Sequence, residues 1–219
     1  MAMKSSLLRI TLLSLLLLLV LFLILSYLLE FHFWRQSKSN DLWNHPQMNE
    51  LQVGDIVFRS AYGKESRLIE WVSGGNYSHI AVITDIAPEI IVTHATTNED
   101  PHYPDQVQST PITRFLSPAI TKQYQIVRPH FLSDDTRLQF ANLLKARLGQ
   151  PYILKNREES NLYCTTLLEQ ALHMLYPLPE LEWQTLSIPG YQGDYLFPDA
   201  FLALPDIERL LQDDEWLVH

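Results

Sequence analysis

The chain has one cysteine, Cys164, in the run Tyr163-Cys164-Thr165-Thr166. There an irregular polar segment, Asn156 to Asn161, passes into an apolar-periodic stretch, so the pattern places the thiol at a helix N-terminus. Unpaired backbone N–H groups and the positive end of the dipole favour the thiolate, the form that attacks carbonyl carbon. The plainer reading of a lone cysteine is a small buried hydrophobe. A thiol nucleophile needs a base, which can lie far away in sequence. Of the eight histidines, His32 and His45 fall near the first apolar run or its linker, and His219 ends the chain. His173 stands nine residues along the Cys164 helix, two and a half turns away, and His130 follows Pro129 at a strand exit. His79 and His94 differ. His79 opens a β-branched run after Gly-Gly-Asn-Tyr-Ser, and His94 closes the next such run. A hairpin brings the start of one strand beside the end of the other. One imidazole can then serve as base while the other orients it; the plain alternative is a strand cap and a solvent-facing polar residue.

Other chemistries are poorly supported. The chain has no HExxH, no CxxC and no His pair at i,i+4, and His94 and His102 flank Glu99 and Asp100 at an unselective spacing. No metal and no cofactor is therefore expected. GxGxxG, GxxxxGK[ST] and GxSxG are also absent.

The elements that must hold these residues follow from periodicity. Asp55–Arg59 predicts a strand introduced by Gly54, and Ser66–Ser73 a helix with Leu68, Ile69 and Val72 on one stripe, closed by Gly74. His79–Thr84 and Glu89–His94 predict an antiparallel hairpin, and Gln123–Val127 a third strand. The Pro-rich stretch between His94 and that strand, with Pro101, Pro104 and Pro111, reads as a long rim or lid loop. Ser133 caps a helix with Asp134 and Asp135 in its first turn and Leu138, Ala141, Leu144 and Leu148 inward. A second helix begins near Cys164 and ends at Pro177, with Leu167, Leu168, Ala171, Leu172 and Leu175 inward. Short pieces follow around Pro198–Ala203 and Asp206–Leu211. Strands and helices without repeated βαβ units predict an α+β fold.

Composition divides the chain in two. Ile10 to Leu29 contains no charge and 12 leucines in 20 residues, long enough as a helix to cross a bilayer. Lys4 and Arg9 precede it and Tyr27, Phe31, Phe33 and Trp34 follow, as at a membrane interface. A cleaved signal peptide is the alternative, but the stretch is long for one and no small-residue cleavage site follows. Beyond Leu29 stand 14 Lys+Arg and all 25 Asp+Glu, a net charge of −11. A nucleic-acid binder is a poor fit. The reading is a short tail (1–9), a transmembrane anchor (10–29), a juxtamembrane linker (30–50), one domain (51–212) and a tail (213–219). The charge bias slightly favours an inside N-terminus, with the domain on the periplasmic or extracellular side.

Val53-Gly54-Asp55-Ile56-Val57-Phe58, Tyr77-Ser78-His79-Ile80-Ala81-Val82-Ile83, Leu148-Gly149-Gln150-Pro151-Tyr152 and Tyr163-Cys164-Thr165-Thr166-Leu167-Leu168 occur in that order. This sequence resembles the permuted papain-fold cysteine hydrolases of the YiiX-like group, relatives of NlpC-type cell-wall peptidases and of lecithin retinol acyltransferase. Phe197-Pro198-Asp199-Ala200-Phe201 looks like the group's C-terminal turn and helix, so the match spans roughly Leu51 to Leu211. The resemblance implies a circularly permuted papain-like fold, an antiparallel sheet packed by helices. It also implies Cys164 as nucleophile, His79 as general base and His94 as orienter, with Tyr77 as oxyanion support. Thr93-His94-Ala95 stands where such members often show an acidic residue, which is closer to the acyltransferase pattern. The implied activity is hydrolysis, through an acyl-enzyme, of an amide, peptide or lipid ester bond in the cell envelope. An acyltransferase or an inactive binding domain is the alternative.

Overall fold

The computed structural model describes residues 12–31, 45–97 and 105–212. The two tails, most of the linker, and Pro101 and Pro104 lie outside the described residues. The chain falls into two units divided between His45 and Pro46. In the first, one helix, α1 (Leu12–Phe31), carries a single charge, Glu30 near its end, and is long and apolar enough to cross a membrane, as an anchor or a signal sequence would be.

The second unit is α+β. Its strands β1 (Ile56–Ala61), β2 (His79–Asp85), β3 (Ile91–Thr96), β4 (Gln106–Pro111), β5 (Thr121–Pro129) and β8 (Ile207–Gln212) form one sheet, in the order β4-β3-β2-β1-β5-β8. Every neighbouring pair is antiparallel. Helices α2 (Lys64–Ser73), α3 (Ile112–Phe115), α4 (Asp134–Lys145) and α5 (Cys164–His173) surround it, and β6 (Trp183–Ile188) and β7 (Tyr191–Leu196) make a separate hairpin. The main core joins Ile56, Phe58, Ile80, Val82 and Ala95 of the sheet to Phe140 and Leu144 of α4 and Leu167, Leu168 and Leu172 of α5. These sheet positions alternate, as one face of a pleated sheet requires.

Three parts of the sequence reading change. The stretch read as a rim loop contributes β4, which pairs with β3 from Ile91↔Pro111 to Thr96↔Gln106, and then α3. Helix α4 starts at the Ser133 cap as expected, but Leu138 and Leu148 are exposed and Arg137 and Phe140 are buried in their place. Gly54, at φ +91°, explains part of this: a Cβ there would lie 2.6 Å from Arg137 Cβ, so the Arg137 stem packs on bare backbone. The hairpin β6–β7 was not foreseen at all.

Two polar clamps fix the sheet around the histidines. Buried Asp55 accepts Arg128 Nε at 2.8 Å on one oxygen and an Arg128 terminal nitrogen at 2.7 Å on the other, locking β1 to β5. Asp199, in the 3-10 turn Pro198–Ala203, accepts the backbone N–H groups of Asn76 (2.9 Å) and Tyr77 (3.1 Å). That carboxylate pins the loop that leads into β2. A Cβ on Gly75 would come 2.5 Å from the Asp199 carboxylate, which would have to move off those N–H groups.

Candidate active site

His79 is the first residue of β2 and His94 lies in the middle of β3. Cross-strand register sets Arg59 opposite His79 and Phe58 opposite Ile80. Phe58 and Ile80 face the main core, so strand alternation turns Arg59, His79 and His94 to the other face, where Phe115 of α3 meets them. The imidazoles are edge to face, with His79 Nε2 and His94 Nδ1 2.8 Å apart. His94 is fully buried, and its Nε2 lies 2.9 Å from Thr110 Oγ1 on β4. Among the described residues His79 Nδ1 has no hydrogen-bond partner, so one ring nitrogen of the chain Thr110–His94–His79 stays open.

Cys164 is the first residue of α5, where Thr166 Oγ1 accepts the Tyr163 N–H at 2.9 Å to close the helix start. The backbone N–H of Ile80 faces the sulfur, as do those of Thr165 and Cys164 itself. The route to Ile80 is visible in the strand pairing. Ile83 N–H donates to Asp55 O on β1, so by alternation the Ile80 N–H points toward β3. Pairing of β2 with β3 runs only from Val82↔Thr93 to Asp85↔Ile91 and stops before Ile80. The Ile80 N–H thus lies beyond the β2–β3 ladder, on the side of β2 where the sulfur approaches. The structure brings Cys164 to the backbone beside His79 and brings His79 to His94. It forms no Cys164–His79 hydrogen bond.

Burial pushes the Cys164 thiol up to about 11, outweighing the backbone N–H groups and the nearby Arg59 cation, which both pull the other way. The helix N-terminus therefore does not make a resting thiolate, contrary to the sequence expectation. Burial first, and the positive charge of Arg59 next, hold both His79 and His94 well below the usual imidazole range. Thiol and imidazoles are neutral together near pH 7.

Arg59 is the residue that sequence reasoning missed. Its guanidinium stands 4.1 Å over the Phe115 ring and donates to Phe115 O at 2.7 Å, and burial lowers its own value to about 9. A charge inside the otherwise apolar run Ile56-Val57-Phe58-Arg59 was the available signal. Tyr77 sits in the core against Phe58, and its hydroxyl donates to Gln125 Oε1 at 3.1 Å. Tyr152 lines the opening at Cys164, where burial raises its phenol.

That opening is a cleft of about 270 Å³. Leu68, Ile69 and Val72 of α2 form one wall, and Leu186, Ile188 and Tyr191 of the β6–β7 hairpin form another. Such a lining suits an aliphatic or aromatic group better than a charged one.

No family model matches the chain, and no curated protein does. Among solved structures it is similar to the metalloprotein YiiX from Escherichia coli O157:H7, with a TM-score of 0.60 and 20% identity over 74% of this chain and 97% of that one. The chain has the YiiX fold. The word metalloprotein belongs to that relative. Among the described residues here, no three His, Cys, Asp or Glu side chains gather around one point. His79 and His94 spend three of their four ring nitrogens on each other and on Thr110. Among the described residues only His79 Nδ1 and the thiol remain, and these do not make up the three or four protein ligands of a zinc site.

Proposed function

We propose that the unit beginning at Pro46 is a papain-like cysteine hydrolase of the permuted type, held at a membrane by α1. The observation that carries this reading is the chain Thr110–His94–His79. It ends on an open Nδ1 in the residue next to Ile80, whose backbone lies near the thiol. With Nε2–H on both imidazoles, His94 donates to Thr110 and His79 donates to His94, which leaves a lone pair on His79 Nδ1. His79 is then the base and His94 the residue that orients it.

Because the resting thiol is neutral, the proton moves as attack begins. The Cys164 sulfur gives its proton to His79 Nδ1 and bonds to the substrate carbonyl carbon. The carbonyl oxygen takes up negative charge, met by the Cys164 backbone N–H and the Tyr152 hydroxyl. The C–N or C–O bond breaks, the leaving group takes the proton from His79, and water then releases the acid from the thioester. Sulfur and imidazole must approach when substrate binds; catalytic hydrogen bonds are often long before it does. The bond cleaved is an amide, peptide or ester of the cell envelope, and the apolar cleft favours an acyl group with an aliphatic chain.

A thiol-directed activity probe tests the reading. Wild type should be labelled, Cys164→Ala not at all and His79→Ala slowly; equal rates for wild type and His79→Ala would mean that no activated pair exists.

A further inference from the structure

Helix α2 half-buries Ile69 and Val72 toward the cleft but leaves large apolar side chains outward. Its one buried residue is a serine, Ser66, which accepts the Ala61 N–H at 2.8 Å and bonds to Ser78. Glu70 also turns inward, to Ser60 and Ser66. The outward side carries Trp71, 74% exposed, and Leu68, 41% exposed, with exposed Lys64 and Arg67 beside them and Tyr62 just before the helix. A helix packed on a soluble core keeps side chains as large and apolar as Trp71 inward. Trp and Leu with flanking Lys and Arg is the composition of a helix lying in a membrane interface.

We propose that the outward side of α2 docks on the bilayer that α1 occupies, with Trp71 and Leu68 at the headgroup–acyl boundary. This rests on reading α1 as an anchor, not on the hydrolase reading. The sequence ties the two together: the 14 residues 32–45 separate α1 from Pro46 and reach at most about 50 Å when fully extended. The net charge of −11 beyond Leu29 opposes approach to anionic lipid. Within a Debye length, however, the exposed Lys64 and Arg67 outnumber the exposed Glu65 of the same helix. Leu68 belongs both to the docking side and to the wall of the cleft at Cys164, so docking would set the mouth of the cleft on the acyl boundary.

The test uses the full chain with Trp71 as its sole tryptophan (Trp34→Phe, Trp43→Phe, Trp183→Phe, Trp216→Phe). It is reconstituted in phosphatidylcholine–phosphatidylglycerol vesicles. Lipid brominated on the acyl chain should quench most of the Trp71 emission and aqueous iodide little of it. Leu68→Glu should reverse both, because the altered position is exposed and the fold does not need it. Strong iodide quenching without bromine quenching, in a chain that carbonate does not strip from the vesicles, overturns the docking. A chain that carbonate strips contradicts the anchor as well, and Trp71 in the unwashed sample then reports whether α2 meets lipid on its own.

Discussion

The Asp199 carboxylate offers a measurable lever on the site from 120 residues away in sequence. It accepts two backbone N–H groups, Asn76 and Tyr77, just before His79. Hydrogen bonds to a charged group contribute about 1.5–3 kcal/mol each when buried; Asn76 is exposed, so about 2 kcal/mol for the pair is the appropriate figure. For a unit of this size each kcal/mol shifts Tm by about 2–4 °C, so Asp199→Ala should lower Tm by about 4–8 °C. Asp199→Asn keeps one acceptor and should lose about half as much. Because the freed loop carries His79, probe labelling of Cys164 should slow in folded Asp199→Ala at temperatures well below its transition. Thermal unfolding by circular dichroism and labelling rates at 25 °C measure the two effects. An unchanged Tm and an unchanged rate together would refute the reasoning, since the loop would then be held by other contacts. Gly75→Ala, which drives a methyl into the same carboxylate, should reproduce the defect.

The labelling rate should hold level from neutral pH down into the acid range, because burial and Arg59 keep His79 well below the ordinary imidazole value. It should fall only as His79 finally takes a proton, and an acid limb at pH 6–7 would contradict this. The same depression makes a stability prediction. The unfolded chain binds protons on His79 and His94 below about pH 6.5 while the folded one does not, so urea midpoints should drop as pH falls through that range. Thr110→Val strands the buried His94 Nε2, which should cost about 1–3 kcal/mol and slow labelling, with Thr110→Ser restoring both. Turnover of p-nitrophenyl esters should rise with acyl length, by up to about fourfold per methylene buried in the cleft. Val72→Asp should flatten that series, and a flat series in wild type would remove the case for an aliphatic acyl group.

Local sequence signals made much of the positioning frame legible. The β2–β3 hairpin was readable because its two β-branched runs are joined by Asp-Ile-Ala-Pro, and the start of α5 because polar residues give way abruptly to a 3.6-residue period. β4 was hidden because Gln-Val-Gln-Ser-Thr-Pro is an edge strand with little apolar content. The β6–β7 hairpin had a readable turn at Pro189-Gly190, but its half-exposed strands lack a strong apolar alternation. The phase of α4 was misjudged because leucine was weighed as core and the Arg137 stem as surface, and only the bare Gly54 shows why the reverse packs. The meeting of His79 with His94 was inferable from hairpin geometry. The neutral thiol was not, since its level depends on burial that no local pattern encodes.

The central claim is that Cys164 becomes acylated. Intact-mass measurement of the full chain, stopped during turnover of a medium-chain p-nitrophenyl ester, should find one acyl group, mapped by peptide analysis to Cys164. The adduct should be absent from Cys164→Ala and slow to form in His79→Ala. Ester turnover by Cys164→Ala at the wild-type rate, or an acyl group on any other residue, would contradict the account.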